Sequence, residues 1–427
     1  MPRTSILTEI IICVSVILVG WQETAALQNR NGHPRVPTAL SNHRSNVEPS
    51  SRRDFFANAA SSVGGATVVG TLAVPGPVVA QAAETKAVPL SLPPIGLGCW
   101  AWGDAVFWGY NPSQDKDLNE VFDYVVTQAS GGSKLGTPNV LLDTAELYGL
   151  GRSEFLIGEF SKNLSQELQE KVVVATKFAP YPFRTKPENV VKACQSSLKR
   201  LGGNRPIDLY QIHFPNVVAN EEYWDGLANA YEQGLVKAVG VSNYGVDALK
   251  ACHTALEKRG VPLSTNQIQY SLLYRFPEDN GLLQACQDLG VQVLSYSPLA
   301  LGLLTGKYTD VGSLQQVSGP RKTLFEKTLE NPQFQTLLDT MKQVASNHDN
   351  ANVAQVAINW CRSKGTIPIP GARNLRQIQS NYGALTWELS KEEVALLDKA
   401  ASFPYNTPDL APFPRQDKST GLVMFDS

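Results

Sequence analysis

The chain has 427 residues, of which 43% are hydrophobic and 18% charged; this describes a globular protein with a large core and excludes one that is disordered throughout. A formal charge of −2 supplies no basic stripe to neutralise phosphates, so small molecules are the expected ligands and nucleic acid is not an expected partner. The cysteines Cys13, Cys99, Cys194, Cys252, Cys286 and Cys361 form no C-x-x-C pair and no zinc spacing, so they read as reduced core residues and no metal site is expected.

The first 90 residues differ from the rest and read as a targeting leader preceding a barrel domain over 91–427. Arg3, the apolar run Ile10 to Gly20 and the small residues Ala25 and Ala26 make a signal-peptide pattern, with a run too short to span a bilayer. The segment from Gln28 to Ser51 carries Arg30, Arg35 and Arg44 with Glu48 as its one acid, a composition that resembles a plastid transit peptide. Ser51-Arg52-Arg53-Asp54-Phe55-Phe56, followed by an Ala/Gly/Val-rich stretch ending in Ala80-Gln81-Ala82, resembles a twin-arginine signal with an A-x-A cleavage site. In series these elements resemble the address of a thylakoid-lumen protein. They imply a mature chain that is soluble or loosely thylakoid-associated, with the stroma as the alternative location.

From Leu92 onward, short runs rich in Val, Ile and Leu alternate with amphipathic stretches, the pattern of βα units around a parallel sheet. The expected strands are Ile95–Cys99, Asn139–Asp143, Lys171–Lys177, Ile207–His213, Val236–Ser242, Leu263–Ile268, Val291–Ser297 and Gly365–Pro370. Helical spacing between them is clear at Val190, Val191, Cys194, Leu198 and Leu201, and Gly202, Gly234 and Gly290 read as helix stops. Eight such units predict a (β/α)8 TIM barrel. An open doubly wound sheet is the weaker alternative, because no G-x-G-x-x-G follows the first strand and Gly96-Leu97-Gly98 fall inside it. The insertion Gly131–Pro138 reads as a loop at the far end of the barrel.

In such a barrel the chemistry sits at the C-terminal ends of the strands. Strand two ends in Asp143-Thr144-Ala145-Glu146-Leu147-Tyr148-Gly149, strand three in Ala175-Thr176-Lys177-Phe178, and strand four in Leu209-Tyr210-Gln211-Ile212-His213-Phe214-Pro215. Taken singly, Asp143-Thr144 also reads as a helix cap, Lys177 as a strand-end lysine and His213 as a core histidine. His253 and His348 lie on helical stretches and read as structural.

The runs DTAELYG, ATKF and DLYQIHFP, in this order on consecutive strands, resemble the catalytic motifs of the aldo-keto reductase family, and the resemblance extends over nearly the whole chain after Leu92. It implies Tyr148 as proton donor, Lys177 and Asp143 as its tuning pair, and His213 as the residue that orients the substrate carbonyl. Elementary chemistry agrees with these roles. Hydride addition builds negative charge on a carbonyl oxygen, which must be stabilised and protonated. A tyrosine near pKa 10 gives up its proton poorly near neutrality, and an adjacent ammonium is expected to lower it. A buried lysine in turn needs a carboxylate to stay charged.

The same resemblance implies a nicotinamide cofactor held by the later strands. Ser242, Asn243 and Gln267 would take the carboxamide, and Tyr296 would stack on the ring. The loop containing Ser297, Leu299, Gly302, Gly306 and Lys307 is similar to the pyrophosphate clasp of relatives of channel β subunits. Gly371, Ala372, Arg373, Gln377 and Asn381 would hold the adenosine end, with Arg373 suited to the 2′-phosphate that distinguishes NADPH from NADH. Three departures from the family stand out: the hairpin that closes the barrel floor is short, Ser380 replaces a common glutamate, and Phe214 replaces a common tryptophan. Trp100, Trp102 and Trp108, with Phe107 and Tyr110, follow strand one and predict an aromatic pocket for flat aldehydes or ketones, pyridoxal or a lipid-derived carbonyl among them. Because channel β subunits keep this tetrad and its nucleotide while acting as regulatory partners, a slow nucleotide-binding redox sensor is the competing function. Nothing in the sequence specifies an oligomer.

Overall fold

The computed structural model describes residues 90–105, 107–128, 140–216, 219–315, 317, 320–402, 415–416 and 423–424. Apart from Leu90, the leader lies outside the described residues, as do Cys13 and the insertion Gly131–Pro138.

Eight parallel strands follow one another around a barrel in sequence order: β1 (Gly96–Gly98), β2 (Val140–Asp143), β3 (Val172–Phe178), β4 (Leu209–Ile212), β5 (Val239–Ser242), β6 (Leu263–Gln269), β7 (Gln292–Tyr296) and β8 (Ile367–Pro368). A parallel bridge between Gly98 and Gly371 brings the last strand back to the first. Sequential order with closure rules out the open doubly wound alternative. Most strands are shorter than the sequence pattern suggests, β8 most of all. Pro368 and Pro370 have no N–H to give the ladder, so pairing lapses around them.

The helices that follow the strands are α1 (Asp115–Gln128), α2 (Arg152–Ser161), α3 (Pro187–Arg200), α4 (Asn220–Glu232), α5 (Val246–Glu257), α6 (Leu282–Asp288), α7 (Val353–Ser363) and α8 (Leu375–Gly383). Between β7 and α7 the chain adds helices Pro320–Leu329 and Pro332–Ser346. On α3 the buried stripe is Val190, Ala193, Cys194 and Ser197, the three- and four-residue spacing of one helix face. Gly202, Gly234 and Gly290 all have positive φ, as expected for residues that end helices. Cys99, Cys194, Cys252, Cys286 and Cys361 are buried free thiols. His348 bonds Glu393 at 3.0 Å and stacks on Trp387.

Side chains two residues apart on a strand share a face, so each strand carries its own ladder into the barrel. The interior cluster contains Leu141, Val173, Ala175, Leu209, Ala238, Leu294 and Ile369. Two residues above Leu141 stands Asp143, above Ala175 stands Lys177, and above Leu209 stand Gln211 and then His213. An apolar lower layer thus supports a polar upper one. Leu90 and Leu92, which precede β1, pack against this cluster.

Candidate active site

The upper layer draws three strands together around Lys177. Its Nζ donates to Asp143 Oδ1 at 2.7 Å, to the Thr144 carbonyl at 2.8 Å and to the Tyr148 hydroxyl at 3.3 Å. Gln267 Nε2 donates to the other Asp143 oxygen at 2.6 Å. Neither member of the ion pair meets solvent, with side-chain exposures of 0% for Lys177 and 3% for Asp143. Burial pushes both toward their neutral forms: it lowers the lysine and raises the carboxyl, and their mutual attraction opposes each shift. His213 sets its ring 5.7 Å from that of Tyr148, nearly perpendicular to it, and Phe214 stacks on its other side.

The tyrosine differs from the sequence expectation. Burial, followed by the nearby Asp143, Cys99 and Asp104, pushes its hydroxyl well above the ordinary value. Lys177, although hydrogen-bonded to the hydroxyl, does not reverse this direction. Tyr148 therefore holds its proton firmly, as a donor must until negative charge develops on a partner oxygen. His213 moves the opposite way, well below its ordinary value, through burial and then the Lys177 charge. This direction favours the neutral imidazole, and its Nδ1 is buried with no hydrogen-bond partner among the described residues.

Gly149, Leu150 and Gly151 after the tyrosine all have left-handed backbone, and a Cβ on Gly149 would strike the Gly103 backbone. This close approach carries the loop after β1 against the loop after β2. Trp100 consequently lies nearly parallel to Tyr148 at 6.2 Å, with Phe107 stacked on its far side at 4.8 Å. Asp104 ties the loop by accepting from Trp100 Nε1 at 2.9 Å and from the Phe107 amide at 2.8 Å. Trp102 corrects the aromatic-pocket expectation: it is fully buried, with its indole N–H on the Ala372 carbonyl at 2.9 Å. It belongs to the wall between β1 and β8 and offers no surface to a substrate.

On the far side, Ser242 Oγ donates to the Gln267 carbonyl at 2.8 Å, and Asn243 Nδ2 donates to the His213 carbonyl at 3.0 Å. Tyr296 donates its hydroxyl to Asn243 Oδ1 at 2.9 Å. Asn243 Nδ2 also donates to Ser242 Oγ at 3.1 Å, so these three side chains form one bonded group beside the tetrad. In the loop after β7, Ser297, Ala300 and Leu301 have positive φ, as do Gly302 and Gly306. Strained non-glycine backbone of this kind gathers at functional loops. Leu299 supports the loop through its carbonyl, which accepts from the Gly302 and Leu304 amides at 2.9 and 3.2 Å. Lys307 is exposed, its ammonium 5.1 Å from the Tyr308 ring centre.

After β8, Asn381 Nδ2 donates to the Gly371 carbonyl at 3.2 Å, Ala372 is buried, and Gln377 accepts from the Arg373 amide at 2.8 Å. Asn374 caps α8 by accepting from the Gln377 amide at 3.0 Å. Two amides at this helix start are therefore already bonded to side chains, and a phosphate there would rely on the arginines. Arg373 lies over Trp108 at 5.7 Å and donates to its carbonyl at 3.1 Å. Arg321, from the helix Pro320–Leu329, lies over the same indole at 5.1 Å. Burial and the charge of Arg373 lower Arg321, and its Nε is buried with no partner among the described residues. Neither arginine pairs with a carboxylate among the described residues. Two cations held close without a counter-charge, one with an orphaned N–H, fit a bound phosphate.

The model of the aldo/keto reductase family matches residues 94–402. The chain belongs to that family. It is 42% identical over 329 residues to the chloroplastic pyridoxal reductase of Arabidopsis thaliana, covering 74% of this chain and 86% of the relative. An uncharacterized oxidoreductase of Mycobacterium bovis is 36% identical, over 72% of this chain and 90% of its own. Among solved structures, an aldo-keto reductase of Klebsiella pneumoniae in complex with NADPH matches with a TM-score of 0.55 and 25% identity, over 78% of this chain and 95% of its own. A glycerol dehydrogenase of Gluconobacter oxydans matches with a TM-score of 0.59 and 25% identity, over 73% and 92%.

Two polar groups of this aldo/keto reductase escape a reading of the motifs alone. Gln211 is fully buried under the tetrad, accepts from Thr265 Oγ1 at 3.1 Å and lowers Asp143. Its position two residues before His213, hence on the same face, was the available signal. Arg321 lies outside every motif quoted above. Only its place after β7, where barrels gather phosphate ligands, points to it.

Proposed function

We propose that this protein reduces aldehydes or ketones to alcohols with NADPH, Tyr148 supplying the proton. The observation that carries the proposal is the contact of Lys177 Nζ with both Asp143 at 2.7 Å and Tyr148 at 3.3 Å, with the neutral His213 beside them. NADPH, when bound, supplies hydride to the carbonyl carbon. His213 would orient the carbonyl by donating from Nε2. As charge grows on that oxygen, Tyr148 becomes the nearest acid, and Lys177 stabilises the phenolate it leaves behind. Asp143, itself held by Gln267, keeps Lys177 charged and aimed. Ser242, Asn243 and Gln267 would hold the carboxamide and Tyr296 the ring, while Arg321 and Arg373 would take the phosphates. Trp100, Phe107 and Trp108 would line the path of a flat substrate and keep water from it.

The name of the plant relative favours pyridoxal as the carbonyl, and the aromatic wall suits its ring. That relative's chloroplastic location and the leader pattern over residues 1–90 together favour a plastid address with the leader removed. The test is Tyr148→Phe in single-turnover oxidation of NADPH by pyridoxal and a panel of aldehydes. We expect a loss of about 10²- to 10⁴-fold with NADPH affinity retained. A variant that reduces carbonyls as fast as the natural protein would refute the assignment.

A further inference from the structure

Behind the tetrad, on the outer face of β3, lies a buried carboxylate that the reaction above leaves without a part. Glu154, in the first turn of α2, is 0% exposed. One of its oxygens accepts from Thr176 Oγ1 at 2.6 Å and the other from Arg200 Nε at 2.5 Å. Thr176 immediately precedes Lys177. Its side chain points out of the barrel while the lysine points in, so anchoring one fixes the backbone that aims the other.

Arg200 is the last residue of α3, and it packs against Gly151, where a Cβ would lie 2.7 Å from the arginine Cδ. The same turn of α2 carries Ser153, whose hydroxyl donates to the Cys99 carbonyl at 3.0 Å and accepts from Thr144 Oγ1 at 2.8 Å. The Thr144 carbonyl is itself a partner of Lys177. One helical turn therefore holds the ends of β1, β2 and β3 around the lysine. A charge this deep is costly to keep out of water, and an apolar side chain would pack there at less expense. Its presence is explained if the charge has a task.

We propose that Glu154, braced by Arg200, is a positioning residue for Lys177: it fixes the strand segment that aims the ammonium at Tyr148 and adds a second negative charge that keeps it ionised. The inference rests on the reduction proposed above. Facing Lys177 are Asp143 from β2, Tyr148 from the next loop, Cys99 after β1 and His213 after β4. Facing Glu154 are Arg200 and Cys194 from α3, Tyr210 from β4 and Glu146 from the loop after β2. Burial lowers Lys177, and Asp143, Cys99 and Glu154 each act to raise it.

The test compares Glu154→Gln and Glu154→Asp in the full chain, with two readouts. One is the titration of the Lys177 side chain, followed by NMR on lysine labelled at Cε and assigned with Lys177→Met. The other is the pH profile of kcat. For Glu154→Gln we expect the lysine to titrate at lower pH than in the natural protein and kcat on the alkaline side to fall roughly three- to tenfold, with NADPH affinity unchanged. Glu154→Asp should restore both. An unmoved titration, or an Asp variant displaced as far as the Gln variant, overturns the inference.

If Glu154→Gln does not fold, Thr176→Val keeps the Glu154–Arg200 pair and removes the hydroxyl that ties it to β3. Turnover should then fall roughly threefold with NADPH affinity unchanged, and an unmoved kcat overturns the inference. If the natural protein reduces no carbonyl at all, the proposed function falls, while the lysine titration still judges Glu154.

Discussion

Replacing Lys177 with methionine would leave Asp143 charged in a place where its side chain is 3% exposed, with Gln267 Nε2 at 2.6 Å as its strong remaining donor. Methionine fills nearly the volume of lysine, so the cavity contribution is small. What remains is the cost of stranding one half of a buried pair, about 3–5 kcal/mol. For a barrel of this size that corresponds to a fall in Tm of roughly 5–8 °C. The double variant Lys177→Met/Asp143→Asn removes the stranded charge while keeping an acceptor for Gln267, and should recover to within about 1–2 kcal/mol of the natural protein. Activity should behave differently: both variants should lose carbonyl reduction by about 10²-fold or more, because Tyr148 has lost its cation in each. Urea unfolding followed by circular dichroism measures the first effect and NADPH consumption the second. A double variant no more stable than the single one would show that the charge was never the source of the cost, and the account of the tetrad as a buried ion pair would fail.

His213 gives a pH dependence whose sign follows from its lowered value: the unfolded imidazole takes a proton near 6.5 while the folded one does not. Stability is therefore full above that value and declines as pH falls below it, and His213→Asn should remove this slope in urea unfolding across about pH 5 to 7. Arg321→Gln should weaken NADPH binding by roughly 10- to 100-fold, the loss of a charge-assisted bond, and leave NADH binding nearly unchanged in fluorescence titration. Equal effects on both nucleotides would place Arg321 away from the 2′-phosphate. Gly149→Ala must adopt a φ of 56° and drive a Cβ into the Gly103 backbone. A cost above about 1–2 kcal/mol is expected, with kcat falling further than stability alone explains, as seen by comparing melting curves with turnover at a temperature where the variant is folded.

The fold was legible because the barrel repeats one rule: side chains on a strand alternate faces. That period places Asp143 above Leu141, Lys177 above Ala175 and His213 above Leu209 on the face that points into the barrel. The rule stops where the strand stops. Past Cys99 the chain turns, so Trp100 and Trp102, although two residues apart, separate into a ring beside Tyr148 and a ring buried in the wall. β8 is shorter than its pattern suggests for a related reason, since an apolar run with two prolines resembles a strand but cannot donate like one. The electrostatics were less legible still. That a lysine sits beside a tyrosine follows from the resemblance of the motifs, but the rise in the tyrosine value depends on burial that only packing defines, then on Asp143, and then on Cys99 and Asp104 arriving from another loop. Glu154 and Arg321 act through contacts 46 residues away in the first case and through a shared indole in the second, and no local pattern encodes either.

Leu90 and Leu92, packed against the interior cluster, set a limit on how much of the N-terminal segment the barrel can lose. If a transport machinery trims this polypeptide, its peptidase must stop short of them, since a cut past that point would let water in under the catalytic layer. Both leucines belong to the folded body, and a product cut past them would be recognisable by its looser interior before its chemistry was assayed.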